Sequence, residues 1–268
     1  MKKKSVEELK EIAKDLRKKV VTMIYEAQSG HPGGSLSAAD FVTACYFREM
    51  NVDPKNPKWE DRDRFVLSKG HVCPIQYAAL GTLGFFPAEK LHTLRQEGSP
   101  LQGHPNHHCP GIDIPTGSLG QGFACAVGMA IGLKIDNKAA RVFTVLGDGE
   151  CQEGEVWEAA ATANKYQLDN LIAFVDVNNL QIDGTTDEVM PTSTWAKNSA
   201  RSAGRFITST ATTWRKSSAR STRSKCTATT TNPNASSVKQ PKAKASLTWK
   251  TSAAGTASPP TKKNTNRP

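Results

Sequence analysis

The sequence predicts an α/β fold, a parallel sheet flanked by helices, over residues 1–190, with an irregular basic tail over residues 191–268. Three observations carry this. Val142–Leu146 and Leu171–Val177 are short apolar runs rich in β-branched residues, as strands buried on both faces require. Helix-length segments separate such runs, the pattern of crossover units. Each run ends on polar, Gly-rich sequence: Gly147-Asp148-Gly149 after the first, Asn178-Asn179 after the second. A right-handed crossover brings both ends to one edge of the sheet. Asp and Asn oxygens beside a Gly-rich backbone suit Mg²⁺ or Ca²⁺ carrying a phosphate ester, and open parallel sheets bind ligands at that edge.

In chain order, Ser5 and Glu8 form a capping box for a first helix running to about Gly30. Val6, Leu9, Ile12, Leu16, Val20 and Ile24 share its apolar face. Ser29–Ser35 reads as a Gly-rich loop, followed by a helix over about Ser37–Arg48. Phe65–Ser68 is a short strand delivering Lys69-Gly70-His71, and Pro74–Leu83 is helical. Gln102–Gly120 is irregular, Ala124–Leu133 is a small-residue helix, and a helix over about Glu155–Lys165 links the two central strands. His107-His108-Cys109 lacks a second ligand pair at zinc spacing, which argues against structural zinc.

No run of 18 apolar residues predicts a membrane span, and the amphipathic start is unlike a secretory signal. Six cysteines without paired spacing read as free thiols of a reducing cytoplasm. The net charge of +10 is unevenly placed. Residues 1–190 hold 20 Lys+Arg and 25 Asp+Glu, a net of −5, whereas residues 191–268 hold 15 Lys+Arg and no acid, a net of +15.

Four Gly-rich loops, three with His beside Gly, look like one site assembled from many loops. Their residues carry a resemblance. Ser29-Gly30-His31-Pro32-Gly33-Gly34-Ser35, Ser68-Lys69-Gly70-His71, Gly103-His104-Pro105, Gly117–Gly122, Gly147-Asp148-Gly149, Gln152-Glu153-Gly154, Asn178 and Ile182-Asp183-Gly184 stand in the order seen in transketolases. Residues 1–190 resemble the N-terminal subunit of a split transketolase. The resemblance implies a thiamine diphosphate-binding fold, with thiamine diphosphate held through Mg²⁺ (or Ca²⁺ or Mn²⁺). Asp148 and Asn178 would be side-chain metal ligands, with the Leu180 carbonyl as a third. Gly149, His71 and Asn178 would lie at the diphosphate, and Gly117 and Leu119 against the aminopyrimidine. His31, His71 and His104 would line the sugar path as proton-relaying imidazoles with near-neutral pKa. Glu153 would join a carboxylate network across a subunit interface. The cofactor would be the electron sink for moving a two-carbon ketol unit between sugar phosphates.

The family's activating Glu sits on a pyrimidine-binding domain absent from these residues. The resemblance therefore implies a separate C-terminal transketolase subunit carrying that domain, assembled with this chain as a heterotetramer. It implies neither a membrane nor a specific nucleic-acid partner. Related alternatives are a 1-deoxyxylulose-phosphate synthase or a 2-oxoacid dehydrogenase component.

The tail has three readings: a basic disordered segment, a nucleic-acid-binding segment, or the product of a reading-frame shift near Pro191. Of its 78 residues, 29 are Ser or Thr. Shifting the implied codons back by one base lets Thr210–Lys216 read D-G-H-D-M-E-E and Lys242–Lys250 read K-G-K-G-V-S-Y-M-E. Thr192–Ala203 likewise allows N-L-D-L-G-E-K-F-R-A-F-G, and Ala254–Pro260 allows G-W-H-G-K-P-P. These segments resemble transketolase sequence in the same order. The single Trp codon is the sharpest constraint: it forces a shifted codon x-T-G, and A-T-G gives Met at both Trp214 and Trp249. A frame-shifted tail implies an exposed sheet edge, poor stability and weak or no cofactor binding, or an inactive product.

Overall fold

The computed structural model describes residues 4–178 and 180–190, and the backbone of residues 207–209. Helix α1, Val6–Ala27, opens on the predicted capping box: Ser5 Oγ accepts from the Glu8 N–H, and Glu8 accepts from the Ser5 N–H. Leu9, Leu16, Val20 and Ile24 of the predicted face are buried, together with Ala13 and Met23.

Strands β1 (Arg64–Leu67), β2 (Val142–Gly147), β3 (Leu171–Asp176) and β6 (Ile207–Ser209) form one parallel sheet in that spatial order. Every residue of β2 is buried, as a central strand covered on both faces must be. Its side chains alternate between two cores. Phe143 and Val145 pack with α1 and with α4, Cys73–Leu83. Leu146 packs with α5, Gln121–Ile135, and α6, Gly154–Lys165, while Val142 packs with α5. The result is three layers with the sheet in the middle.

Three local expectations change. The Ser29–Ser35 segment is not loop throughout, because helix α2 spans Pro32–Ser37. Pro32 sits in its first turn, where a fixed φ and a missing N–H are no liability. The predicted Ser37–Arg48 helix is present but changes its winding: α3 covers Ala39–Ala44 and runs on as a π-helix over Cys45–Glu49. Beyond β3, a small antiparallel pair, β4 (Leu180–Gln181) and β5 (Gly184–Thr185), leads into α7, Thr186–Val189. These pieces are too short to carry periodicity. Strand β6 lies within the tail beyond residue 190, and the tail's other residues fall outside the described ones, as does Asn179.

Five cysteines, 45, 73, 109, 125 and 151, are free thiols. Among the described residues no helix is long and apolar enough to cross a membrane.

Candidate active site

The carboxyl ends of β1, β2 and β3 stand side by side. Gly147 is in register with Asp176, and the Asp148 N–H donates to the Asp176 carbonyl at 3.2 Å. This puts Asp148 and Asn178 on one edge, as the crossover argument requires. Asp148 is buried, and its Oδ1 accepts from the Gly149 N–H at 3.0 Å. Asn178 Oδ1 accepts from the Leu180 N–H at 2.9 Å, which folds the chain back and exposes Leu180 near the same edge.

Beneath the edge lies a buried polar network whose members were not all legible in the sequence. Lys69, delivered by β1, donates to Asp176 Oδ2 at 2.5 Å, and Ser37 donates to Asp176 Oδ1 at 2.8 Å. Lys69 and Asp176 are 1% and 0% exposed. Glu150 ties three loops. Its Oε1 accepts from Ser68 Oγ at 2.5 Å and from the Gly120 N–H at 3.0 Å, and its Oε2 accepts from the Gly147 N–H at 2.9 Å. Burial pushes the Glu150 carboxyl above its usual range, against these hydrogen bonds and Lys69. The sequence signal for Glu150 was its place directly after Gly-Asp-Gly. For Asp176 it was an acid ending a buried strand, where an unpaired charge would be costly.

The His-bearing loops converge because glycines let them touch. A Cβ on Gly34 would fall 2.5 Å from Val72 Cγ1, so α2 packs against the His71 turn. A Cβ on Gly70 would fall 2.8 Å from the Thr116 carbonyl oxygen, so the Gly117 loop packs there too. The His31 and His71 rings meet edge to face, with centroids 5.2 Å apart. The Gly117 Cα lies against His104, whose Cδ2 would be 3.3 Å from an added Cβ. Leu119 is exposed beside this loop. Glu153 caps the start of α6 and stands next to Gly120, as a Cβ there would be 3.2 Å from Glu153 Cβ.

The near-neutral imidazoles expected from the sequence are corrected here. Burial, then the neighbouring charges of His31, Lys69 and His104, lowers His71 to about 4. Burial first and Arg95 second lower both His31 and His104. At neutral pH the cluster is therefore uncharged and can accept or donate one hydrogen bond per ring nitrogen. His107 and His108 are exposed, with ring centroids 4.2 Å apart, and among the described residues no three His, Cys, Asp or Glu cluster as a metal site.

The donor set at the strand tips fits a divalent metal and a diphosphate. Asp148 and Asn178 offer hard oxygens, and the Leu180 carbonyl lies on the adjoining chain. Asp148, Glu150 and Asp176 are all buried there, and Lys69 pairs with Asp176.

A parallel sheet with hard oxygen donors at its tips and several loops converging above them defines a diphosphate-binding α/β domain. The family model described as "Transketolase, thiamine diphosphate binding domain" matches residues 8–264. The chain belongs to this family. It is 49% identical over 185 residues to the 6-deoxy-6-sulfo-D-fructose transketolase subunit SqwG of a Clostridium strain, covering 69% of this chain and 67% of that one. It is 48% identical over 174 residues to one of the subunits of the apulose-4-phosphate transketolase of Phocaeicola vulgatus, covering 65% of this chain and 62% of that one. Human transketolase is 45% identical over 173 residues, which is 64% of this chain but 28% of the human one. The chain thus spans about two thirds of the named subunits. Among solved structures, Campylobacter jejuni transketolase superposes with a TM-score of 0.71 at 34% identity, over 75% of this chain and 33% of that one.

Proposed function

We propose that the chain is the cofactor-binding subunit of a two-chain transketolase, moving a two-carbon ketol unit between sugar phosphates. The observation that carries this reading is the convergence of His31, His71 and His104 beside the Asp148–Asn178 strand tips. The names of the subunit relatives support a two-chain enzyme and favour ketol transfer over other thiamine diphosphate chemistries.

In this proposal Asp148, Asn178 and the Leu180 carbonyl hold Mg²⁺. Gly149 and His71 contact the diphosphate, and Gly117 and Leu119 flank the aminopyrimidine. Thiamine diphosphate supplies the electron sink for carbon–carbon cleavage. The three neutral imidazoles accept protons from sugar hydroxyls and return them. Glu153, exposed at the start of α6, faces the partner, which brings the pyrimidine-binding domain. Two copies of each chain form the assembly, in a reducing cytoplasm that suits the free thiols.

We further propose that residues 192–268 are translated from a shifted frame. The charge step, the missing acids and the four ordered back-shifted segments support it. The natural strand and helices finishing the sheet would then be replaced. An uninterrupted read of the gene across codon 191 on independent clones would overturn this.

Ketol transfer from a ketose phosphate to an aldose phosphate is the test of function, using the frame-restored chain and a separate pyrimidine-domain chain. Activity should require both chains, thiamine diphosphate and a divalent ion. Turnover by the partner alone, or none with all components, contradicts the proposal.

A further inference from the structure

Arg95 has no assigned part in the site above, yet it joins two of its loops. Its backbone is left-handed, with φ of 60°, a conformation seldom adopted by a side chain of this kind. The Arg95 N–H donates to the Leu101 carbonyl at 2.8 Å, which fixes that turn. The guanidinium then reaches two ways. Nη1 donates to Ser29 Oγ at 3.1 Å, two residues before His31. Its plane also lies on Gly103, the residue before His104, so closely that a Cβ there would stand 2.8 Å from Arg95 Cζ. Among the described residues no carboxylate lies within ion-pair reach of Arg95, so its charge is left to act on what surrounds it.

We propose that Arg95 is a positioning residue: it clamps the His31 loop to the Gly103-His104 turn and presents its charge to both rings. The role in sugar handling rests on the ketol-transfer reading; the clamp itself does not.

Physical chemistry gives the arrangement a purpose. A fork of N–H donors can hold a hydroxyl while its flat face packs on a peptide, which an ammonium cannot do. An unneutralised cation beside imidazoles disfavours their protonation. The groups facing the cluster are few. His71 and Lys69 come from the end of β1, His31 from the α1–α2 connection, and His104 and Arg95 from the segment between α4 and α5. Arg95 acts on His31 and His104, whereas Lys69 acts on His71. The two cations thus divide the cluster between them. Gly103 gains a reason as well: any side chain there displaces the guanidinium.

The experiment is a histidine NMR titration of the full chain, comparing wild type with Arg95→Gln and Gly103→Ala. In both variants the His31 and His104 midpoints should move up toward the ordinary 6.5. The backbone amide resonances of α1 and of β1–β3 should stay in place and so report an intact fold. Arg95→Lys should hold the midpoints down less fully than the native residue, since it keeps charge but loses the fork. Unchanged His31 and His104 midpoints in both variants overturn the proposal, whether or not the chain supports ketol transfer. Midpoints that move in a chain without that activity leave the clamp standing and count against the functional reading alone.

Discussion

Replacing Glu150 by Gln should destabilise the fold in a way that follows from hydrogen-bond counting. The ionised carboxylate is acceptor-only and takes three donors: Ser68 Oγ–H, the Gly120 N–H and the Gly147 N–H. An amide keeps one oxygen. If that oxygen keeps the Ser68 and Gly120 donors, the new NH₂ group faces the Gly147 N–H, donor against donor. One buried N–H is then orphaned, at a cost of about 1–3 kcal/mol. Gln also loses its attraction to Lys69, but avoids the burial penalty that raises the Glu150 carboxyl. The expected loss is about 2 kcal/mol for Glu150→Gln. For Glu150→Ala, which orphans all three donors, it is about 3 kcal/mol or more. These are large fractions of the ~5–15 kcal/mol that holds a typical domain together. Urea unfolding at 25 °C measures them, provided the slope is unchanged. A Glu150→Gln midpoint equal to wild type, within about 0.5 kcal/mol, would refute the three-donor account.

Other outcomes follow from the same site. Lys69→Met leaves Asp176 as an uncompensated buried charge and should cost about 3–5 kcal/mol; pairing it with Asp176→Leu should recover most of that loss in the same urea assay. Gly70→Ala puts a methyl 2.9 Å from the Thr116 carbonyl carbon, so it should destabilise by about 1–3 kcal/mol and separate the His71 and Gly117 loops, seen as shifted amide resonances in both. His71, lowered from 6.5 to about 4, makes stability depend on pH. Its folded value lies below its unfolded one, so the unfolded chain binds more protons between about 4 and 6.5. Stability from this group is full above 6.5 and is lost as pH falls toward 4, by about 3 kcal/mol, and His71→Gln should flatten that part of the pH profile.

Much of the fold was readable because strong periodicity met clear punctuation. The α1 face, its capping box and the doubly buried β2 all rest on patterns long enough to be unambiguous. The breaks were less legible. Nothing in the spacing between Ser37 and Arg48 marks the turn at Ala38 between α2 and α3, or the wider winding over Cys45–Glu49. The site residues with chemical side chains, Asp148 and the histidines, stood out beside Gly. Glu150, Asp176 and Arg95 did not, because their meaning lies in partners far along the chain: Ser68, Gly120, Lys69, Ser37 and Ser29. The proton state of the histidines is hidden from the sequence for a similar reason. Burial and the nearby cations Lys69 and Arg95 are properties of the assembled loops.

The central claim is that the tips of β2 and β3 anchor thiamine diphosphate through a divalent ion. The most direct measurement is the melting temperature with and without thiamine diphosphate plus Mg²⁺. It compares the chain as written, the chain with its frame restored after Pro191, and the restored chain carrying Asp148→Ala. The account predicts a rise of several degrees for the restored chain, a much smaller one for the chain as written, and none for Asp148→Ala. A restored chain that melts at the same temperature with and without the cofactor would contradict it, and so would an undiminished rise in the Asp148→Ala variant.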